Sequence, residues 1–367
     1  MEFLKDLEQI CKVNSYTKNK QGVDSVCTIM KQWYENIGFQ TKTFKRDHIG
    51  DHQLFKSATT DGAKILFLGH NDTVFPEGEF DHFHQDDTWV YGPGVCDMKG
   101  GNIVALEALK QIYKQNGKIE NIDVLLVSDE ETGSDDSKFL TLELAKEYDY
   151  CFVFEAAGEN LEVVNGRKGV GTYTISIEGK AAHAGVRYKE GINANLEASY
   201  KLQELTKLTN LELGTTVNVG KINGGIGANT ISPKCEMLLE IRYTMESERD
   251  RLLEALETIT NISFVAGTKA TLEGLIQRDV MEPNSNQEQL LSKLEAITNQ
   301  KILTERRGGV SDANHVASCG VATLDGWGPF GDGDHTKHER ALKSSFTQRI
   351  DMMIQILKYH QEYKSFK

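Results

Sequence analysis

"KILFLGHNDTVFP", residues 64 to 76, is the stretch on which the fold turns. Ile65 to Leu68 are apolar at every position, with no polar alternation. A strand of that kind is buried on both faces, as in a parallel sheet covered by helices. Gly69 then loosens the chain, and His70 and Asp72 follow, two residues apart. Positions i and i+2 of an extended chain share a face, so an imidazole and a carboxylate leave a buried strand together.

The same grammar recurs on either side of a helix. "IDVLLVSDEETGS" (122–134) reads as a second apolar strand ending in acids, and "YDYCFVFEA" (148–156) as a third. Between the first and second lies "GGNIVALEALKQIYKQ" (100–115), a helix with Ile103, Leu106, Leu109 and Ile112 on one stripe. Residues 22 to 37 also have helical spacing. This alternation predicts an α/β fold with a mostly parallel sheet. Near residue 170 the pattern changes. "GTYTISIEG" (171–179) alternates with period two, as a half-solvated antiparallel strand does. A helix is expected at about 191–209, strands near 215–222 and 234–243, a helix at 246–261 and a short strand near 270–275. The order βαββαβ is that of a ferredoxin-like α+β sandwich. After "MEPNSNQEQ" (281–289) the helix-rich pattern resumes. The expectation is therefore a discontinuous catalytic domain, 1–168 and 276–367, with a lid or dimerisation domain inserted at 169–275. Hinges near Gly169 and Leu275 would let it close.

At 367 residues the chain exceeds one ordinary core. Its net charge of −13 disfavours nucleic acid and anionic membrane surfaces as partners. No apolar stretch approaches the roughly 20 residues that span a bilayer. The opening "MEFLKDLEQICKV" reads as an amphipathic surface helix, not a secretory leader. Six cysteines are scattered without a CxxC pair, as reduced thiols of a cytoplasmic protein would be.

Ligands of open α/β sheets bind beyond the carboxyl ends of the strands. His70 with Asp72, Asp97 in "YGPGVCDMKGG" (91–101), Glu130 with Glu131, and Glu155 lie at such ends, and "GDGDHTKHE" (331–339) adds His335. Taken singly, each has an ordinary reading: a satisfied histidine, acids on a solvated loop, a helix N-cap at Asp97. Together, carboxylates converging on one crevice repel each other unless cations neutralise them. Nitrogen plus carboxylate donors suit zinc, with cobalt or manganese as alternatives.

"GHNDTVFP", "YGPGVCDMKGG", "SDEETGS", "FEA", "GKAAHAG" (179–185) and "HTKHE" (335–339) stand in the order and spacing of the M20 zinc peptidases. The chain resembles the carboxypeptidase G2 and aminoacylase-like group of that family, and "YGPGVCDMKGG" is most similar to its glutamate carboxypeptidase branch. The resemblance implies two zinc ions per subunit. His70 and Glu155 would hold one, Glu131 and His335 the other, and Asp97 would bridge them, with a cis peptide bond to Met98. Asp72 would orient His70 by a hydrogen bond. Glu130 would be the general base acting on a metal-bridging water, and His183 a donor to the oxyanion, reaching the site of a partner subunit in a homodimer. Arg242 in "LLEIRYT", Asn229 in "GANTISP" and the Gly308–Gly309 turn of "RRGGVSDAN" would bind a substrate carboxylate. That turn departs from the usual three glycines, since Val310 stands third, and Arg306 and Arg307 have no counterpart.

The implied activity is hydrolysis of an amide next to a free carboxylate, in a small peptide or an N-acyl amino acid. A di- or tripeptide aminopeptidase of the same family is the nearest alternative, although Glu155 stands where those branches usually carry Asp. A non-catalytic binding protein on the same scaffold would require the ligands or the base to be lost, and all are present.

Overall fold

The structure is a computed structural model that describes residues 2–366. The chain forms two compact units: one contains residues up to Gly166, Pro283–Arg307 and everything from Ser311, the other Arg167–Glu282 with Gly308–Val310.

The first unit is built on a six-stranded sheet. Its order is Gln40–Phe44, His52–Lys56, Ile122–Val127, Ile65–His70, Tyr150–Val153 and Ala322–Leu324. The last four run parallel, with His70 opposite Val127 and Phe67 opposite Phe152. Ile65–His70 and Ile122–Val127 are buried at every position, as apolar runs such as 65–68 and 124–127 require, and the buried Asp123 accepts from Ser57 N and the Tyr148 hydroxyl, both at 2.8 Å. Helices Phe3–Cys11, Lys99–Asn116, Ser285–Thr298 and Lys343–Tyr363 contribute to the same core, which includes Leu7, Ile103, Leu106, Leu109, Leu294, Met353 and Leu357. The first of these helices buries Phe3, Leu4, Leu7, Ile10 and Cys11.

Two features were not anticipated. Gln40–Phe44 and His52–Lys56 form an antiparallel hairpin at one edge of the sheet. The outer strand, "QTKTF", is mostly polar because an edge needs to bury only one side. A second, four-stranded sheet joins Gly331–Asp332, Arg340–Leu342, Trp89–Tyr91 and His84–Gln85. Its strands are only two or three residues long, too short to carry a period. Gly69 also departs from the reading, lying inside the Ile65–His70 strand rather than loosening its end.

The second unit is an antiparallel sheet in the order Thr216–Gly224, Lys234–Tyr243, Gly169–Glu178, Lys269–Arg278. Helices Ala194–Thr206 and Glu246–Asn261 pack on it. Tyr173, Ile175 and Ile177 alternate inward along the Gly169–Glu178 strand to meet Met237, Leu239, Leu252 and Leu256. Chain order against strand order is that of a ferredoxin-like sandwich. Leu275, expected at a hinge, is mid-strand and pairs with Thr172. The strand continues to Arg278 opposite Val170, so this unit runs past the expected bound at 275 to Glu282.

Among the described residues no helix is long and apolar enough to cross a membrane, and all six cysteines are unpaired thiols. Phe67 tests the packing of the parallel sheet. It is fully buried, with ring centroids 4.7 Å from Phe154 and 6.0 Å from Phe152. Phe67→Ala is expected to cost about 3–5 kcal/mol in urea denaturation. A loss below about 1 kcal/mol would mean that this core is not packed as described.

Candidate metal centre

Three parallel strands end side by side, and each delivers a candidate ligand. His70 is the last residue of its strand, Glu155 lies two residues beyond Val153, and Glu131 sits in a single 3-10 turn, Glu130–Thr132, just after Val127. Asp97 precedes the Lys99–Asn116 helix, and His335 lies between the Gly331–Asp332 and Arg340–Leu342 strands.

These residues form two triplets, His70–Asp97–Glu155 and Asp97–Glu131–His335, each with one donor atom per residue within 4.8 Å of the others. Asp97 belongs to both. Its Oδ1 lies 3.2 Å from Nε2 of His70, and its Oδ2 3.2 Å from Nε2 of His335. Nε2 of His70 is also 3.8 Å from Glu155, and Nε2 of His335 is 3.0 Å from Glu131. The Asp97–Met98 peptide bond is cis. His70 is buried, whereas the His335 side chain is 57% exposed.

The chemistry of the set fits cations. Burial, then the charge of Asp97, pushes Glu131 up to about 8 and Glu155 well above the usual carboxylate range. His335 is pushed up to about 11 by its hydrogen bonds to Asp97 and Glu131. Burial opposes protonation of His70, yet its bonds to Asp72 and Asp97 hold it well above its usual value. Asp97 is the exception among the acids: against burial, the two histidines hold it low. Raised carboxylates beside raised imidazoles mark a cluster short of positive charge. Cations bound by the same oxygen and nitrogen atoms would supply that charge.

Outer contacts fix the ligands. Nδ1 of His70 donates to the backbone carbonyl of Asp72 at 3.0 Å, with the Asp72 carboxylate 3.3 Å away. The expected partner was the Asp72 side chain, and the backbone carbonyl of the same residue joins it. With Nδ1 committed to that carbonyl, Nε2 is the ring atom turned toward the triplet, and its lone pair would be free for a cation once its own proton is displaced. The carboxylate also has a second task, because its Oδ2 accepts from Thr17 Oγ1 at 2.7 Å and from the Glu131 N–H at 3.2 Å. Asn102 Nδ2 donates to the His70 carbonyl at 2.7 Å. The Glu155 carbonyl accepts from Gly328 N at 2.8 Å, and Arg307 Nη1 donates to the next carbonyl, Ala156, at 2.9 Å. Lys99 is fully buried and donates to the carbonyls of Ile10 and Val13. Sequence reading missed Thr17, Lys99 and Asn102. "MKGG" lay within a quoted motif, but nothing marked Thr17.

Close approach explains two glycines. A Cβ on Gly69 would lie 2.3 Å from Asn102 Oδ1, and one on Gly101 only 1.8 Å from the Phe154 carbonyl oxygen. The start of the Lys99–Asn116 helix therefore presses directly on the segment that carries Glu155.

The remaining predicted residues belong to the second unit. His183 and Asn229 are brought together: Thr230 bridges His183, and Ala184 N donates to the Asn229 carbonyl at 2.9 Å. Nδ1 of His183 accepts from Gly185 N at 3.2 Å, which leaves its N–H on Nε2. Arg242 pairs with Glu240 at 2.7 Å and donates from Nη1 to the Gly308 carbonyl at 3.0 Å. Arg167 donates to the Gly309 carbonyl at 3.0 Å. The turn thus meets its arginines through carbonyl oxygens.

The sequence profile of peptidase family M20/M25/M40 matches residues 66–359. Carboxypeptidase G2 of Pseudomonas sp. (strain RS-16) is 27% identical over 96% of this chain and 88% of its own length. A tripeptidase structure from Staphylococcus aureus superposes with a TM-score of 0.78 at 21% identity, covering 97% of each chain. A dinuclear metal binding peptidase from the M20 family of Bacillus subtilis gives a TM-score of 0.72 at 13% identity, covering 98% of this chain and 99% of that one. Fold and sequence together define a hydrolytic enzyme of the mixed α/β class. The chain belongs to peptidase family M20/M25/M40.

The Gly101 contact is open to a direct test. Gly101→Ala is expected to cost about 1–3 kcal/mol by forcing the helix off the strand end. It should also lower the metal retained after purification, read by elemental analysis. Unchanged stability and metal content would show that the helix has room to spare.

Proposed function

We propose that the chain is a two-metal amidohydrolase that cleaves an amide bond next to a free carboxylate, as a carboxypeptidase or an N-acyl amino acid amidohydrolase. The observation that carries this reading is Asp97, whose two oxygens serve two separate ligand triplets. His70, Asp97 and Glu155 would hold one cation, and Asp97, Glu131 and His335 the other. Zinc is the assigned metal from the mixture of imidazole and carboxylate, with cobalt or manganese as substitutes. Bound cations supply Lewis-acid polarisation of the amide oxygen and a lowered pKa for water.

Glu130 is assigned as the general base. It shares a turn with Glu131 but belongs to neither triplet, and its charge is among those that raise Glu131 and Glu155. It accepts the proton of the attacking water and returns it to the departing amine. His183 is assigned as an oxyanion donor, for which its Nε2–H is suited. Arg242, Asn229 and Gly309 are assigned to the substrate carboxylate. Arg242 keeps N–H groups beyond those given to Glu240 and Gly308. The second unit is assigned to homodimer formation, and the protein to the cytoplasm. Similarity to carboxypeptidase G2 along most of the chain supports the carboxylate-adjacent substrate.

Reconstitution with zinc should give about two ions per chain by elemental analysis. A value near zero would remove the site assignment. Glu130→Ala should keep its metal and lose activity by several orders of magnitude. Loss of metal instead would exchange the roles of Glu130 and Glu131. His183→Ala should lower kcat by roughly 10²–10³ with metal unchanged. If the donor comes from a partner subunit, mixing the Glu130→Ala and His183→Ala proteins should restore activity. Screening N-acyl amino acids against dipeptides with a free N-terminus separates the two peptidase readings. Turnover only of substrates with a free amine would favour the aminopeptidase.

A further inference from the structure

One carboxylate beside the metal centre is a candidate neither for a ligand nor for the base. Glu339 closes the "HTKHE" motif and is only 1% exposed. Its Oε1 accepts from the backbone N–H groups of Cys96 at 2.9 Å and Asp97 at 3.0 Å, and its Oε2 from that of Gly94 at 3.0 Å. Its own carbonyl accepts from Gly92 N at 3.4 Å. Pro93 has no N–H, and Val95 N turns back to the Gly92 carbonyl at 3.2 Å. Every other N–H from Gly92 to Asp97 therefore ends on Glu339. Buried backbone donors must find acceptors, so this loop is shaped by one residue from a distant part of the chain.

That residue also belongs to the turn carrying His335. The turn joins two paired strands, with Gly331 opposite Ala341 and Asp332 opposite Arg340, and Arg340 pairs in turn with Tyr91. Thr336 N donates to the Gly333 carbonyl at 2.9 Å and Glu339 N to the Thr336 carbonyl at 3.2 Å. His335 itself has φ 61°, an uncommon conformation for a residue with a Cβ. The small sheet and Glu339 thus bind the Asp97 loop and the His335 turn into one piece. His70, Glu131 and Glu155 are carried instead by the ends of the central strands and the turn Glu130–Thr132 that follows one of them.

We propose that Glu339 is a positioning residue that sets the register between Asp97 and His335, and so controls occupancy of the second metal position. The proposal rests on the two-metal reading above. The two positions depend on Glu339 unequally. The Asp97–Glu131–His335 triplet draws two of its three ligands from the piece that Glu339 holds together, and the His70–Asp97–Glu155 triplet draws one. A glutamine at this position keeps the shape but turns an NH₂ toward backbone N–H donors, and an amide nitrogen cannot accept from them.

The test is calorimetric titration of metal-free protein with zinc, and with cobalt followed by its visible absorption, for the wild type and Glu339→Gln. Folding is checked by circular dichroism. Two ions binding to the wild type establish the reading on which the proposal rests, and no binding there would defeat that reading independently of Glu339. Glu339→Gln is expected to bind the first ion nearly as the wild type does and the second about 10–100-fold more weakly, the usual penalty for losing an outer partner of a metal ligand. A general loss of packing would instead lower the melting temperature and weaken both ions alike, which would overturn the proposal. So would a folded variant that binds both ions at wild-type affinity. If Glu339→Gln does not fold, Glu339→Asp is measured in its place, because it keeps the charge and shortens the reach. A selective loss of the second ion upholds the proposal there too, and unchanged binding of both refutes it.

Discussion

The carboxylate of Asp97 shares its charge between two imidazoles, and the first unit is organised around making that sharing possible. Its oxygens point to His70 on one side and His335 on the other, with Glu155 and Glu131 behind them. Gathering three carboxylates in a crevice that is partly out of water is costly unless positive charge arrives with them. The parallel sheet supplies rigid placement, because adjacent strands ending level with one another deliver His70, Glu131 and Glu155 to one edge. The N-terminal end of the Lys99–Asn116 helix closes that edge, and two glycines let it come near enough. A helix N-terminus is also a favourable place for negative charge.

Much of this was readable from the chain. The apolar runs at 65–68 and 124–127 have one stable environment, the middle of a covered parallel sheet, and both are found there. The helix over 246–261 is found at the expected residues, and the alternation in "GTYTISIEG" marks the second unit. What escaped is equally physical. Strands of two or three residues, such as Arg340–Leu342, have no period to detect, and the edge strand "QTKTF" is mostly polar. Residues whose work is done across long sequence separation carry no local sign. Thr17 meets Asp72 from 55 residues away, and Glu339 meets the Asp97 loop from more than 240. The motifs named the ligands, but the partners that orient them are properties of the folded chain.

The second unit has its own core and its own polar logic. Met237, Leu239, Leu252 and Leu256 pack in one cluster with Tyr173, Ile175 and Ile177. Gly308–Val310 returns to it late in the sequence and is held there by Arg167 and Arg242. The chain therefore passes between the units at both ends of the inserted sandwich and again on either side of these three residues. "RRGGVSDAN" is in this sense a seam. Arg307 bonds beside Glu155 in the first unit, Gly308 and Gly309 answer to the second, and Ser311 is back in the first, donating to Asp325 at 2.8 Å.

The N-terminal stretch, whose sequence reads as an amphipathic surface helix, takes on a different character once its polar contacts are followed. The family profile begins only at residue 66, yet Lys99 places a buried ammonium on the carbonyls of Ile10 and Val13, and Asp72 takes a hydroxyl from Thr17. A chain begun downstream of these residues would leave the buried Lys99 ammonium without its two carbonyl acceptors and the buried Asp72 carboxylate without its hydroxyl donor. Residues 10–17 thus brace the centre from outside the matched profile, and a fragment cut to the quoted motifs would keep every ligand and lose the contacts that Ile10, Val13 and Thr17 make behind them.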